Sequence, residues 1–161
     1  MTIRDEDPAD APGIRALVAS AFGQAAEADL VDRLRRDGDG VISLVAVEDG
    51  AFVGHVLLSR MRAPFRALGL APVSVTPERQ RAGIGSRLIR AALDRARGEE
   101  WQGVFVLGEP AYYRRFGFDS SLAGGFASPY AGPYLMALAL RGELPARTGR
   151  IVYAPAFAAL G

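Results

Sequence analysis

The stretch 73–86, VSVTPERQRAGIGS, constrains the fold of this chain more than any other part of the sequence. It begins as a β-branched strand, breaks at Pro77, and carries Gly83 and Gly85 where a helix is expected to begin, near Gln80. The first amide groups of a helix have no intrahelical acceptor, and the helix dipole adds partial positive charge there. Because glycine leaves those amides uncovered, the stretch predicts a strand that leads into a phosphate-binding helix N-terminus.

Two common phosphate-binding motifs do not fit these residues. A P-loop requires a lysine after its second glycine, and every one of the 19 basic residues of this chain is an arginine. A dinucleotide-binding turn follows the first strand of a βαβ unit, whereas the glycines here follow a series of strands that read as antiparallel. The phosphate-binding hypothesis therefore rests on the spacing Q-x-x-G-x-G of residues 80–85.

Hydrophobic periodicity along the rest of the chain predicts a mixed α/β fold. Asp49-Gly50 joins the clearest pair of strands, because this dipeptide supplies the positive φ angles of a tight hairpin turn. Predicted strands cover residues 2–4, 41–47, 52–58, 68–75, 104–107 and 134–140, with 150–153 as a further candidate. Predicted helices cover residues 8–21, 24–36, 81–97 and 111–116.

Residues 119–133 are rich in Gly, Ser, Ala and Pro and are predicted to form a surface loop. There is no internal repeat and no long linker, and 161 residues suit one domain, so residues 1–161 are predicted to form a single unit. The N-terminus lacks the pattern of a secretory signal, and no apolar run reaches the roughly 18 residues of a membrane span. The chain is therefore expected in the cytoplasm.

Composition excludes several classes of chemistry. The formal net charge of +1 offers no bulk field for nucleic acid or an anionic membrane. Without cysteine the chain has no disulfide, thiolate metal ligand or cysteine nucleophile, and its single histidine argues against a zinc or iron centre. Without lysine it cannot form a Schiff base with a substrate.

A second motif accompanies the glycine-rich turn. Residues 112–118, YYRRFGF, contain a Y-x-x-x-G-F element in which Tyr113 stands four residues before Gly117. With G-H-V at 54–56 and V-L-G-E-P at 106–110, these motifs occur in the order found in GNAT-superfamily N-acetyltransferases. The chain resembles the bacterial YhbS-like subgroup of that superfamily over nearly its whole length, with glutamate where that subgroup has aspartate in the G-D-P turn. The other aromatic residues of the second motif are expected in the core: Tyr112, Phe116 and Phe118.

The resemblance implies a GNAT fold: a twisted, mostly antiparallel sheet of six to seven strands, flanked by helices and splayed between the fourth and fifth strands. Pro72 suits such a splay, because proline withholds a donor from the strand ladder. The resemblance also implies acetyl-CoA as co-substrate and no metal. The pyrophosphate is expected at Gln80, Arg81, Ala82, Gly83, Ile84, Gly85 and Ser86, and the pantetheine arm at Val73, Ser74 and Val75.

In that family the acetyl group moves directly from the thioester to a primary amine. The resemblance implies Tyr113 as the acid that protonates the departing thiolate, whose thiol has a pKa of only about 8.5. A backbone amide of residues 73–75 would polarise the thioester carbonyl. No motif fixes the group that deprotonates the amine. Glu27, on the second predicted helix, and His55 are candidates for substrate binding, although a histidine within a strand also suits a structural role.

Two alternatives remain open at this stage. A non-catalytic module that senses acyl-CoA would need the glycine-rich turn but nothing from Tyr113, and an enzyme that uses a longer acyl-CoA would need a larger pocket beneath residues 119–133. The acceptor is equally open, because a small polyamine, an amino acid, an antibiotic and a protein N-terminus all carry the required amine. Nucleic acid and membrane partners are not expected, and the aromatic residues of the C-terminal third are candidates for a homodimer contact.

Overall fold

The structure, a computed structural model, describes residues 1–160. Its strands are β1 (Thr2–Asp5), β2 (Gly40–Glu48), β3 (Ala51–Arg60), β4 (Ala67–Val75), β5 (Gly103–Leu107), β6 (Phe126–Ala127), β7 (Leu135–Ala139) and β8 (Gly149–Arg150). Its α-helices are α1 (Ala11–Phe22), α2 (Ala26–Asp37), α3 (Ile84–Gly98), α4 (Pro110–Tyr113) and α5 (Ser120–Ala123). Short 3-10 helices lie at Pro8–Asp10, Pro77–Arg79, Arg114–Phe116 and Pro155–Leu160. Among residues 1–160, no helix has both the length and the apolar composition needed to cross a membrane.

Six of the strands form one sheet in the order β1-β2-β3-β4-β5-β7. Every neighbouring pair is antiparallel except β4 and β5, which run parallel. The remaining two strands, β6 and β8, form a separate parallel pair. The predicted hairpin is confirmed, since Asp49 and Gly50 join β2 to β3 with φ angles of 51° and 78°. The predicted mixed α/β fold with a mostly antiparallel sheet is confirmed as well.

Strands β4 and β5 separate soon after they pair. Only residues 67–69 of β4 pair with residues 103–105 of β5, and the rest of β4 pairs with β3 alone among the described strands. Pro72 lies in this separated half, between Leu70 and Val73, where the register with β3 shifts. The predicted splay between the fourth and fifth strands is therefore confirmed, and it opens at the carboxyl ends of both strands.

Helices cover both faces of the sheet. On one face, α3 packs against β2, β3 and β4. On the other face, α1, α2 and the C-terminal 3-10 helix form a second apolar layer. The buried side of α3 consists of Ile84, Leu88, Ile89, Ala92, Leu93 and Ala96. The gap between β4 and β5 thus opens between two helical layers.

The helix after β4 begins later than the sequence predicts. We expected it from about residue 81, but α3 begins at Ile84. Arg81 and Gly83 have φ angles of 67° and 85°, in the left-handed region that an α-helix excludes. The residues just before α3 therefore form a loop, and the predicted start of the helix was wrong.

The prediction of a surface loop at 119–133 is wrong in part. This segment contains α5 and β6, and β6 pairs with β8. Phe126 of β6 is only 3% exposed and packs edge-on against Phe105, with ring centroids 5.4 Å apart. The small, turn-forming residues around Phe126 hid this element, because a short strand is stabilised by its tertiary packing more than by local propensity.

Candidate active site

The loop between β4 and α3 is tied to β4 and ends at an uncapped helix start. The Gln80 side chain donates a hydrogen bond to the Val75 carbonyl oxygen at 3.1 Å. Gly83 is the N-cap residue of α3, and no side chain caps the first amide groups of that helix. These amides carry the partial positive charge of the helix dipole, so this end of α3 favours an anion.

A cavity of about 440 Å³ opens at this helix start, and we call it the loop cavity. Its lining residues are Val75, Arg79, Gln80, Arg81, Gly83, Ile84, Gly85, Ser86, Tyr112 and Arg115. Seven of the ten residues predicted to hold the cofactor are among them, namely Val75, Gln80, Arg81 and residues 83–86. The structure therefore brings most of the predicted cofactor residues to one concave surface.

The other three predicted cofactor residues lie around the loop cavity in different ways. A Cβ built at Gly85 would lie 3.9 Å from Val73 Cγ1, so Val73 packs directly behind the cavity. Ser74 points to the opposite side of β4, where its hydroxyl is buried. Ala82 is exposed and is not among the residues that line the loop cavity. Contacts from Ser74 and Ala82 to a ligand in the loop cavity would come from their backbone.

Tyr112 and Arg115 line the loop cavity, although the sequence did not identify them as site residues. The Tyr112 hydroxyl lies 3.3 Å from Ser86 Oγ, and the Arg115 guanidinium lies over the Tyr112 ring, 4.5 Å from its centroid. Tyr112 packs against the core as expected and borders the loop cavity as well, and Phe116 and Phe118 are buried as predicted. Tyr112 and Arg115 are three residues apart in a helical segment, a spacing that puts both on one face and could have identified them.

Tyr113 lies beside the carboxyl end of β5, with its ring over Gly108, the residue that follows the strand. A Cβ added at Gly108 would overlap the Tyr113 ring, 2.8 Å from its Cδ2 atom, so this position of the ring requires glycine there. The ring packs edge-on against Tyr112 and Phe118, with centroid distances of 5.0 and 5.9 Å. Burial, with a smaller effect of Tyr112, raises the pKa of Tyr113 to about 12. The hydroxyl is therefore protonated at neutral pH and can donate a hydrogen bond or a proton.

A second cavity, of about 180 Å³, lies on the opposite face of the sheet, and we call it the apolar cavity. Its lining residues are Leu70, Ala71, Leu107, Tyr130, Tyr153, Phe157 and Leu160. Leu70 and Ala71 follow the last β4 residue that pairs with β5, and Leu107 ends β5. Since a strand rises about 3.3 Å per residue, Ala71 lies about 13 Å along β4 from Val75 of the loop cavity. The two cavities therefore meet the same separated stretch of β4 from opposite faces.

The two residues predicted to bind the acceptor lie elsewhere. His55 of β3 is 0% exposed, and its Nε2 lies 2.8 Å from Ser43 Oγ. Burial lowers the pKa of His55 to about 4, so its imidazole is neutral at physiological pH. Glu27 of α2 accepts a hydrogen bond from Gln24 Nε2 at 3.0 Å. Neither side chain lines either cavity, and the geometry of His55 favours its structural role.

The charged side chains around the loop cavity are partly paired. Arg79 forms a salt bridge with Glu48 through both of its terminal nitrogens. The salt bridges within residues 1–160 do not include Arg81 or Arg115, so both guanidinium groups are available to an anion. In the same described range, no group of three or more His, Cys, Asp or Glu side chains has the arrangement of a metal site.

Known proteins share the fold that positions this site. The Acetyltransferase (GNAT) family matches residues 11–118 of the chain. The chain belongs to the GNAT acetyltransferase family. This GNAT protein is 40% identical over 141 residues to YjhQ of Escherichia coli, an uncharacterized N-acetyltransferase, with 82% of this chain and 77% of YjhQ covered. It is also 40% identical over 123 residues to YhbS of Escherichia coli, another uncharacterized N-acetyltransferase, with 74% of each chain covered.

Two solved GNAT structures are similar over nearly their full length. The crystal structure of Escherichia coli YhbS in complex with CoA gives a TM-score of 0.92 at 33% identity, covering 99% of this chain and 93% of that one. A GNAT acetyltransferase from Brucella melitensis in complex with acetyl-CoA gives a TM-score of 0.83 at 38% identity, covering 97% of both chains. These relatives confirm the predicted GNAT fold and the predicted likeness to YhbS.

Proposed function

We propose that this GNAT protein is an N-acetyltransferase that moves the acetyl group of acetyl-CoA directly to a primary amine, and that residues 1–161 act as one catalytic domain. The observation that carries the proposal is the opening between β4 and β5, which has the uncapped start of α3 on one side and Tyr113 beside the carboxyl end of β5. YhbS and the Brucella melitensis relative, solved with CoA and acetyl-CoA, support the choice of co-substrate.

The loop cavity is the proposed site of the CoA pyrophosphate. Phosphate oxygens would accept hydrogen bonds from the first amides of α3, where Gly83 and Gly85 leave room for a close approach. The guanidinium groups of Arg81 and Arg115 would add positive charge from the side of the cavity. The pantetheine arm would pair with residues 73–75, where β4 has separated from β5. Such a path would lead the thioester to the opening beside Tyr113.

The proposed reaction needs no covalent enzyme intermediate. The neutral amine nitrogen attacks the thioester carbonyl carbon, the C–N bond forms, the C–S bond breaks, and the CoA thiolate leaves with the bonding electron pair. A backbone amide of β4 would stabilise the oxyanion that forms on the carbonyl oxygen. Tyr113 would donate a hydrogen bond and then its proton to the leaving sulfur, and the proton that the amine nitrogen loses would restore the phenol through solvent.

Replacing Tyr113 by phenylalanine tests the role of its hydroxyl. Tyr113→Phe keeps the ring packing but removes the proton donor, so we expect kcat for thiol release to fall about 10²–10⁴-fold while CoA affinity changes less than about threefold. Tyr112→Phe is the matched control, because the Tyr112 hydroxyl faces Ser86 in the loop cavity. That control should weaken CoA binding slightly and keep kcat near the wild-type value. Steady-state kinetics and calorimetry with CoA measure the two quantities.

The alternatives give different results in the same assays. A Tyr113→Phe protein with wild-type turnover would contradict the role assigned to this hydroxyl. A wild-type protein that binds acetyl-CoA but releases no thiol with any primary amine would contradict the enzyme proposal and favour a non-catalytic acyl-CoA sensor.

A further inference from the structure

The apolar cavity has walls of one chemical kind. Five of its seven lining residues are hydrocarbon side chains, and the other two are Tyr130 and Tyr153. Among residues 1–160, no charged side chain lines it. A charge buried in such surroundings without a partner is strongly unfavourable. The cavity is therefore suited to an uncharged apolar group and unsuited to a second ammonium group.

The size of the cavity limits what it can hold. In another protein, an engineered cavity of about 150 Å³ with aliphatic and aromatic walls binds benzene. At about 180 Å³, the apolar cavity has room for one phenyl ring or one branched aliphatic group of similar size. A long chain with several amino groups would exceed this volume and would bring unpaired charge with it.

Tyr153 brings a buried polar group to the wall of the cavity. Its ring packs on Gly69, the last β4 residue paired with β5, where a Cβ would lie 2.7 Å from Tyr153 Cε1. Its hydroxyl oxygen is buried and has no hydrogen-bond partner among residues 1–160, which is rare for a buried hydroxyl. The Tyr130 ring packs edge-on against the Tyr153 ring, with centroids 5.6 Å apart. Burial, and then the nearby Tyr130 and Tyr113, raise the pKa of Tyr153, so its hydroxyl is protonated at neutral pH.

Resting on the N-acetyltransferase function proposed above, we propose that the apolar cavity is the acceptor site and selects primary amines with one uncharged apolar group of about the size of a phenyl ring. The Tyr153 hydroxyl accepts a hydrogen bond from the amine nitrogen and directs the nitrogen lone pair toward the thioester carbonyl. The opening between β4 and β5 connects this nitrogen to the acetyl group, which arrives from the opposite face.

The rim of the cavity favours an occupant that arrives from solution. Leu107 and Leu160 stand at this rim with 42% and 41% of their surface exposed. An acyl chain carried by CoA would instead reach the cavity from the loop cavity, through the opening between the strands. The exposed rim therefore assigns the apolar cavity to the acceptor, and a longer acyl chain is the competing occupant that the experiments must exclude.

The first test measures thiol release from acetyl-CoA by the wild-type protein with ethylamine, isoamylamine, 2-phenylethylamine and putrescine. We expect kcat/KM to rise about fourfold for each methylene equivalent buried, up to the phenyl ring. We expect putrescine, a diamine of similar length, to fall at least about tenfold below isoamylamine. Equal values across the series, or a preference for the diamine, would overturn the inference. A tripeptide with N-terminal phenylalanine, compared with 2-phenylethylamine, distinguishes a peptide terminus from a free amine.

The second test changes the walls of the cavity. Leu107→Asp puts a carboxylate on the exposed rim, so the kcat/KM ratio of putrescine to isoamylamine should rise at least about tenfold. Tyr153→Phe keeps the ring and removes the hydroxyl, so kcat/KM for 2-phenylethylamine should fall about tenfold, with the KM for acetyl-CoA unchanged. Tyr134→Phe changes an exposed tyrosine outside the cavity and should match the wild type. Wild-type selectivity in Leu107→Asp, or wild-type kinetics in Tyr153→Phe, would overturn the inference.

Failure of this inference and failure of the proposed function give different results. If acetyl-CoA binds by calorimetry but no amine releases thiol, the proposed function fails. If ethylamine releases thiol faster from isobutyryl-CoA than from acetyl-CoA, and 2-phenylethylamine has no advantage over ethylamine, the cavity holds the acyl chain. In that case the acceptor assignment alone is overturned.

Discussion

The two cavities that meet β4 are built in different ways. The loop cavity comes mainly from one continuous stretch, residues 79–86, and its anion-attracting groups are backbone amides at the start of α3. The apolar cavity comes from the side chains of distant segments, at residues 70–71, 107, 130 and 153–160. The first depends on small residues that leave the backbone uncovered, and the second depends on the size and polarity of side chains. We therefore expect CoA affinity to tolerate most side-chain changes and acceptor choice to follow them.

The largest effect is expected at Gly108, which lines neither cavity and packs against the Tyr113 ring. Gly108→Ala puts a Cβ 2.8 Å from Cδ2 of the Tyr113 ring, so the ring must move from its place over residue 108. A displacement of about 1 Å at a reacting group can lower a rate about 100-fold, and we expect kcat to fall by roughly that factor. CoA affinity should remain near the wild-type value, because Gly108 does not line the loop cavity. Steady-state kinetics and calorimetry measure both, and a wild-type kcat would show that the position of Tyr113 is not needed for turnover.

Gly85→Val acts on the loop cavity alone. Its Cβ would lie 3.4 Å from the Tyr112 hydroxyl oxygen and 3.7 Å from Val75 Cγ2, so the two methyl groups beyond it would occupy the cavity. Overfilling a packed site costs about 1–3 kcal/mol, so CoA should bind roughly 5- to 150-fold more weakly in calorimetry. Gly98→Ala, on the same helix and with no neighbouring atom within 4 Å, should bind CoA as the wild type does. Unchanged affinity in Gly85→Val would mean that the cofactor binds elsewhere.

The sequence predicts the loop cavity better than the apolar cavity, because the first comes from one continuous stretch and the second from distant segments. The spacing of Gly83 and Gly85 after a β-branched run is a local signal, so the strand and most of the residues that line the loop cavity could be predicted. The start of α3 could not, because the left-handed backbone of Arg81 is imposed by the folded loop and is not a preference of arginine.

Features that depend on distant contacts were missed. Phe126 sits among residues typical of loops, and its strand exists because it pairs with Gly149 and packs in the core. The apolar cavity brings Leu70 and Leu160 together from opposite halves of the chain. No local pattern records such a contact, because it forms only when the sheet and its C-terminal segment are assembled.

A third prediction concerns the polar layer beneath β4, on the side of the apolar cavity. His55 is fully buried beside Ser74 of β4, with its Nε2 3.8 Å from Glu6, which is itself bonded to Arg35. The Ser43 hydroxyl donates a hydrogen bond to Glu6 Oε1 at 2.8 Å. Because that hydroxyl has only one hydrogen, Nε2 of the neutral His55 ring carries the ring proton and donates a hydrogen bond to Ser43 Oγ. This arrangement predicts a stabilising role that depends on a neutral ring.

Acid should lower the stability that the buried, neutral His55 ring gives to the folded protein. The pKa of His55 is about 4 in the folded protein, below its ordinary value of 6.5, so the unfolded chain takes up a proton first as the pH falls. The free energy of unfolding should therefore decrease below pH 6.5, by about 2 kcal/mol between pH 8 and pH 5. Urea unfolding at several pH values measures this slope. His55→Gln, which cannot titrate, should lose less than about 1 kcal/mol over the same range, and equal slopes in the two proteins would contradict the assignment.

The smallest effect is expected at Arg115. Its replacement tests directly whether CoA affinity comes from backbone amides or from side chains. Its guanidinium is exposed and stacks over the Tyr112 ring at the loop cavity. If CoA affinity rests on backbone amides, Arg115→Ala should weaken binding by about fivefold or less, since an exposed ion pair is worth about 1 kcal/mol or less. Higher ionic strength should reduce that difference further, because salt screens exposed charges. Arg114→Ala, from the neighbouring residue outside the loop cavity, is the matched control. A loss of about 100-fold in Arg115→Ala would mean that CoA affinity depends mainly on this side chain and not on the backbone amides. Ligand binding in both cavities would then depend on side chains, and the contrast between them would be wrong.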